Sequence, residues 1–179
     1  MATIRIEPIG TLSGSSGEYA GDTLNVPFLD EELEFSVSDL KRGEALDDYS
    51  AAFRNFLALG APTREEAARY VFKFYQECAS RIEESGMEEF ELDFIITEEA
   101  GVWEYVQLYT VTASRREADG LVYIQATGNC DWEEEHGIQL VFREGKKLSR
   151  VSEQDGHLTT VDAFGLNESE DSILSPADA

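Results

Sequence analysis

The sequence predicts an α+β domain: a mostly antiparallel sheet of six or seven strands, with two adjacent helices packed together on one face. Three observations predict it. Two stretches of helical period follow one another between residues 47 and 86. Segments of period-two alternation precede them and then run consecutively after them. Too few crossover helices remain to connect a parallel sheet.

Ile4 to Ile9 alternates as a short strand, and Pro8 places it at an edge. Thr11 to Gly17 is rich in Gly and Ser and reads as a loop. Thr23 to Phe28 and Glu32 to Val37 read as strands joined by Leu29-Asp30-Glu31. Leu33, Phe35 and Val37 are set to face a core. Lys41 to Asp47 is a charged connection. Tyr49, Ala52, Phe53, Phe56 and Leu57 then recur at helical spacing, with Asp47 or Asp48 as cap and Gly60 as stop.

The second helix opens with Pro62-Thr63-Arg64-Glu65-Glu66, where Thr63 and Glu66 suit a capping box. Its apolar stripe is Ala67, Val71, Phe74, Tyr75, Cys78 and Ile82, and Gly86 ends it. Phe90, Leu92 and Phe94 alternate with acidic residues as a further strand, extended by Ile95 and Ile96. Val102 to Ala113 is apolar on both faces, which suits a central strand. Asp119-Gly120 turns the chain into a strand from Leu121 to Thr127. Ile138 to Arg143 and Lys146 to Ser152 form a hairpin about Glu144-Gly145. Residues 1–165 are therefore expected to be one domain, and the acidic residues 166–179 a disordered tail.

The net charge is -23, from 37 acidic and 14 basic residues in 179. Phosphates would be repelled by it, which argues against nucleic acid or an anionic membrane as partner. It suits a basic protein or a divalent cation. Solubility or a salt-adapted source would give the same acidity without a partner. The 42% hydrophobic content argues against disorder, and no apolar run reaches the roughly 20 residues of a membrane span. The first residues lack the basic and apolar regions of a signal peptide. Two cysteines make no disulfide framework, so a reducing cytoplasm is the expected setting and Cys78 an expected core residue.

The chemistry concentrates in Asn129-Cys130-Asp131-Trp132-Glu133-Glu134-Glu135-His136-Gly137. Trp132 is expected to anchor this loop, its N–H meeting a backbone carbonyl. His136-Gly137 suits a bulge at a strand entrance, and at least two of the three glutamates a solvated run. His136 and His157 lie at the open ends of one hairpin. Asp131, Glu135, His136, Asp155 and His157 can therefore share a corner as a candidate polar site. Two imidazoles and a carboxylate there could hold a divalent metal, with His136 and His157 as ligands, or a carboxylate–histidine pair could do acid–base work. The spacing matches no metal motif, and Cys130 is a weak nucleophile among acidic neighbours.

Val26-Pro27-Phe28, Asn55-Phe56-Leu57-Ala58-Leu59, Tyr70-Val71-Phe72-Lys73-Phe74-Tyr75, Trp132-Glu133-Glu134-Glu135-His136-Gly137 and Asp155-Gly156-His157-Leu158-Thr159 resemble an uncharacterised bacterial domain-of-unknown-function family. That family carries a W-x-x-E-H-G-L segment, with Ile138 here in place of Leu. The resemblance covers residues 23–163. It implies a bacterial cytoplasmic protein without an established activity. Small acidic α+β domains are linked by analogy to immunity against toxins. Two functional readings result. One is a non-enzymatic, immunity-like binding module for a basic protein, without cofactor. The alternative is a metal-binding domain or metal-dependent hydrolase at the His136/His157 corner.

Overall fold

A computed structural model of the chain describes residues 1–86 and 92–176. Its centre is one sheet of eight strands in sequential order: β1 (Ala2–Ile6), β2 (Gly10–Ser15), β3 (Glu18–Val26), β4 (Glu31–Val37), β5 (Val106–Arg115), β6 (Val122–Cys130), β7 (Ile138–Arg143) and β8 (Lys147–Ser152). Neighbouring strands pair antiparallel except β4 and β5, which are parallel. The connection between those two carries α1 (Asp47–Leu57), α2 (Ala61–Ser85) and a 3-10 helix (Glu99–Glu104). The expected mostly antiparallel α+β fold is thus present, with more strands than the sequence showed.

The additional strand is β2, in the stretch expected to be a loop. Ser16 (φ 56) and Gly17 (φ 92) make a two-residue turn that pairs Ser15 with Glu18. At Gly14 a Cβ would lie 1.8 Å from the Glu18 carbonyl oxygen, so small residues here admit a close backbone rather than mark a loop.

Paired residues share a face, and the register separates two very different ones. Leu33, Phe35, Val37, Val111, Ala113, Ile124, Ala126, Leu140, Phe142, Leu148 and Val151 form the apolar face, all buried. α1 packs here: Phe53 lies 5.6 Å from Phe35, and Phe56 lies 5.4 Å from Phe28 and 5.3 Å from Phe142 between ring centroids. The β7–β8 turn closes against α1, since a Cβ on Gly145 would fall 2.0 Å from the Ala52 carbonyl oxygen. α2 contacts β8 and the 3-10 helix, with Arg64 donating to the Phe28 carbonyl and lying over Trp103.

Several local expectations need correction. Neither Asp47 nor Asp48 caps α1; both sit in its first turn, where carboxylates favour the helix dipole. The Thr63 capping box is absent because α2 starts earlier, at Ala61, with extended Gly60 before it. Gly86 does end α2, in the left-handed conformation at φ 63. The strand expected over 90–96 lies partly outside the described residues, and residues 92–96 form no strand. Their alternation serves packing instead. Phe94 stacks on Tyr105 at 4.4 Å and lies 6.3 Å from Tyr75, and the Ile96 N–H donates to the Tyr75 hydroxyl at 3.2 Å. Trp103 belongs to the 3-10 helix, and β5 exposes Gln107 and Tyr109, so that strand is not apolar on both faces.

The opposite sheet face is polar. On β6–β8 it is closed by the chain beyond β8, including α3 (Thr160–Phe164). Buried Arg116 pairs with Asp162, Glu168 and Asp119, and the Val151 N–H donates to the Ile173 carbonyl at 2.7 Å. Residues 166–176, expected to be a disordered tail, include a 3-10 helix (Glu168–Glu170) with an Asn167–Glu170 capping box. They also hold Thr160 through Asp171 and Ser172. Sequence acidity alone could not show that a buried arginine awaits these carboxylates.

Candidate functional site

β6 runs to Cys130, and the chain then reverses in one tight loop. The Asp131 N–H donates to the Tyr105 carbonyl at 3.0 Å, and the Gly137 N–H to the Glu133 carbonyl at 2.9 Å. Glu133 organises the loop: its carboxylate accepts the His136 backbone N–H at 3.3 Å and lies 3.0 Å from His136 Nδ1. Gly137 has φ 65, and a Cβ there would meet the Gly128 carbonyl oxygen at 2.3 Å. This is a turn before β7 rather than the expected bulge, since β6 and β7 stay in register through Gly128–Ile138.

Trp132 anchors the loop, as expected, by packing edge-on against Phe74 and Tyr75 of α2 at 6.3 and 5.5 Å. Its indole N–H meets no carbonyl among the described residues. Of the two rings that hold it, Phe74 has no acceptor and the Tyr75 hydroxyl accepts from the Ile96 N–H instead.

The groups brought together are Glu133, His136 and Glu153. One ligand atom from each lies within 4.8 Å of the other two. Glu153 directly follows β8, and the Gln139–Ser152 pairing delivers it beside the start of β7. Gln154 ties this corner down by donating to the Gly128 carbonyl at 2.8 Å. The hydrogen bond with Glu133, then the charges of Glu133, Glu153 and Glu135, raise the His136 pKa above its ordinary value. The trio also has a cationic neighbour in Arg81 of α2, whose guanidinium feels Glu153 and Glu133 and donates to Cys78 Sγ at 3.2 Å.

Of the residues singled out in the sequence, His136 is in this group. Asp131 and Glu135 are exposed beside it, and Glu135 acts through its charge. Asp155 is engaged elsewhere. It grips the buried Arg150 guanidinium through two 2.6 Å bonds and accepts from Gln139 at 3.1 Å and the His157 N–H at 3.0 Å. His157 enters that network through its backbone, its carbonyl accepting from Arg150 and Gln139. Glu153, Gln139 and Arg150 went unnoticed in the sequence. The hairpin register itself places Glu153 near His136, a signal that was available.

Both cysteines are buried and free. Burial pushes the Cys130 thiol up to about 12, with Cys78 beside it adding to the rise, so thiolate chemistry at neutral pH is suppressed. A cavity of about 110 Å³ lies between α1 and the β6–β7 side, lined by Asp48, Asn55, Arg115, Glu144 and Lys146. Its charges are mutually paired, Arg115 with Asp48 and Lys146 with Glu144. No helix among the described residues is long and apolar enough to cross a membrane.

Residues 8–158 match the family described as Domain of unknown function (DUF6985). No curated protein and no solved structure matches the chain.

Proposed function

The chain belongs to the domain-of-unknown-function family DUF6985, and we propose that it is a non-enzymatic acidic binding module of the bacterial cytoplasm that engages a basic protein, in the manner of an immunity protein. One observation carries this reading: most of the cations are engaged internally. Arg5, Lys41, Arg69, Arg115, Arg116, Arg143, Lys146 and Arg150 all pair with carboxylates of the same chain. Arg64 is given to backbone carbonyls and Trp103, and Lys73 lies over Tyr70. With 37 acidic residues against 14 basic ones, the remaining carboxylates present an outward negative field. We read α1 and α2 as sharing the apolar sheet face, a reading supported by the aromatic contacts of α1 and the contact of α2 with β8. The test is capture from a lysate of the source organism at low salt. A basic protein retained in stoichiometric amount and released by high salt is the expected result. Retention of no basic protein overturns the proposal.

A second reading, a metal-binding corner, is favoured by the Glu133, His136 and Glu153 ligand atoms lying within 4.8 Å of one another. An imidazole with two carboxylates suits zinc or a related divalent ion. The positive charge of nearby Arg81, which feels the same carboxylates, opposes it. Zinc titration by calorimetry decides between them. Binding abolished by His136→Ala and Glu153→Gln but retained in His157→Ala supports the metal corner, and silent wild-type protein removes it.

A further inference from the structure

We propose that the open half of the polar sheet face, centred on Glu32, Glu34 and Tyr109, is where an arginine-bearing segment of a basic partner docks. This rests on the reading of the chain as an acidic module, and it specifies the surface and the chemistry that the surface selects.

The register defines the face. Glu34 lies between Thr23 of β3 and Thr110 of β5, and Thr110 faces Thr127 of β6. Glu32 faces Asn25, and Ser36 faces Thr112, their hydroxyls 2.8 Å apart. Gln107 faces Asn129. Tyr109 occupies the extra position in β5 between Leu108 and Thr110, and its hydroxyl reaches Asn129 Oδ1 at 3.5 Å, which sets the ring on this face. At 46% exposure Tyr109 is among the few large hydrophobic side chains left in solvent.

The same face behaves differently on its two halves. Over β6–β8 it is closed by the C-terminal segment, and the buried charges there, Arg150 and Arg116, are neutralised by Asp155 and by Asp162 with Glu168. Over β2–β5 no described element covers it, and Glu32, Glu34 and Tyr109 are exposed. β2, β3 and β4 contain no Lys or Arg, so Glu32 and Glu34 have no cation on their own or adjoining strands up to Arg115 at the end of β5. On this open half two exposed carboxylates on one strand lie roughly 7 Å apart at the strand repeat, one strand away from an exposed aromatic ring and with no cation before Arg115 on the neighbouring strands to engage them.

The neighbours select arginine. A guanidinium offers a planar fork to carboxylates and a face to stack on an aromatic ring, whereas an ammonium is a compact point charge. The surrounding Thr, Asn and Gln side chains can accept from further guanidinium N–H groups or from partner backbone.

The experiment uses a fluorescein-labelled nona-arginine peptide as probe, read by anisotropy at low salt. Wild-type protein is expected to bind, and E32Q/E34Q to weaken binding by roughly tenfold. The control E83Q/E84Q removes the same charge from exposed positions on α2 and should weaken it by less than about twofold. Tyr109→Leu, which changes no charge, should weaken it by roughly threefold. Thermal melts verify that the variants stay folded. Equal weakening by both double variants, or equal binding of nona-lysine, overturns this face and its arginine preference while the acidic module stands. Absence of wild-type binding at low salt overturns the module reading, and the face with it.

Discussion

Arg150 and Asp155 meet through two parallel hydrogen bonds, Nη1 to Oδ1 and Nη2 to Oδ2, each 2.6 Å. Arg150 is 1% exposed, and its Nε has no partner among the described residues. Asp155 is therefore the counter-charge of a buried cation, and removing it strands that cation. Asp155→Ala should cost about 3 kcal/mol or more, measured by denaturant unfolding.

The same pair sets a pH dependence. Burial alone would raise the Asp155 carboxyl, but the Arg150 guanidinium and the His157 N–H outweigh it and hold the carboxyl below its usual range. A depressed folded value means that the stabilisation is fully present above the unfolded value of about pH 4 and is lost as pH falls through the folded one. The stability gap between wild type and Asp155→Asn should accordingly be constant near neutrality and shrink only in acid. A gap that instead closes between pH 6 and 8 would contradict this assignment.

Gly137 and Gly156 both have positive φ, yet their surroundings differ. A Cβ on Gly137 would meet the Gly128 carbonyl oxygen at 2.3 Å, and one on Gly156 would meet nothing within 4 Å. Gly156→Ala should cost about 1 kcal/mol from backbone strain alone. Gly137→Ala should cost more, because β6 and the loop must separate. Equal melting temperatures of the two variants would contradict the packing described for this corner.

His136 should titrate above the ordinary value of about 6.5, because Glu133 bonds to its ring and Glu153 and Glu135 add negative charge. A raised value favours the protonated form in the folded state. Any contribution to stability is thus present below the unfolded value and fades as pH rises through the folded one. Proton NMR should show the His136 value falling towards 6.5 in Glu133→Gln. An unchanged titration would mean that the Glu133–His136 contact is not made in solution.

Much of the fold was legible because it rests on local period. Leu33, Phe35 and Val37 alternate in β4, α2 carries its stripe to Gly86, and Glu144-Gly145 turn β7 into β8. β2 was hidden because Gly and Ser signal loops by composition, while here they admit close strand approach and a tight turn. The Phe90–Ile96 alternation misled because over residues 92–96 period two served the aromatic wall of Tyr75 and Tyr105 rather than a sheet. At the candidate corner, His136 was found as a rare side chain. Asp155 was placed with it because sequence proximity could not reveal the buried Arg150 that claims it. Glu133 was discounted as one of a charge run, although it lies three residues before His136 in a loop that closes one turn.

The most direct measurement is the association rate of the captured basic partner across ionic strength, by stopped flow. Outward carboxylates in large excess over mostly engaged cations predict charge steering: association falls steeply as salt rises from about 20 to 500 mM, while dissociation changes much less. An association rate indifferent to salt would contradict the account, since the net charge of -23 would then play no part in recognition.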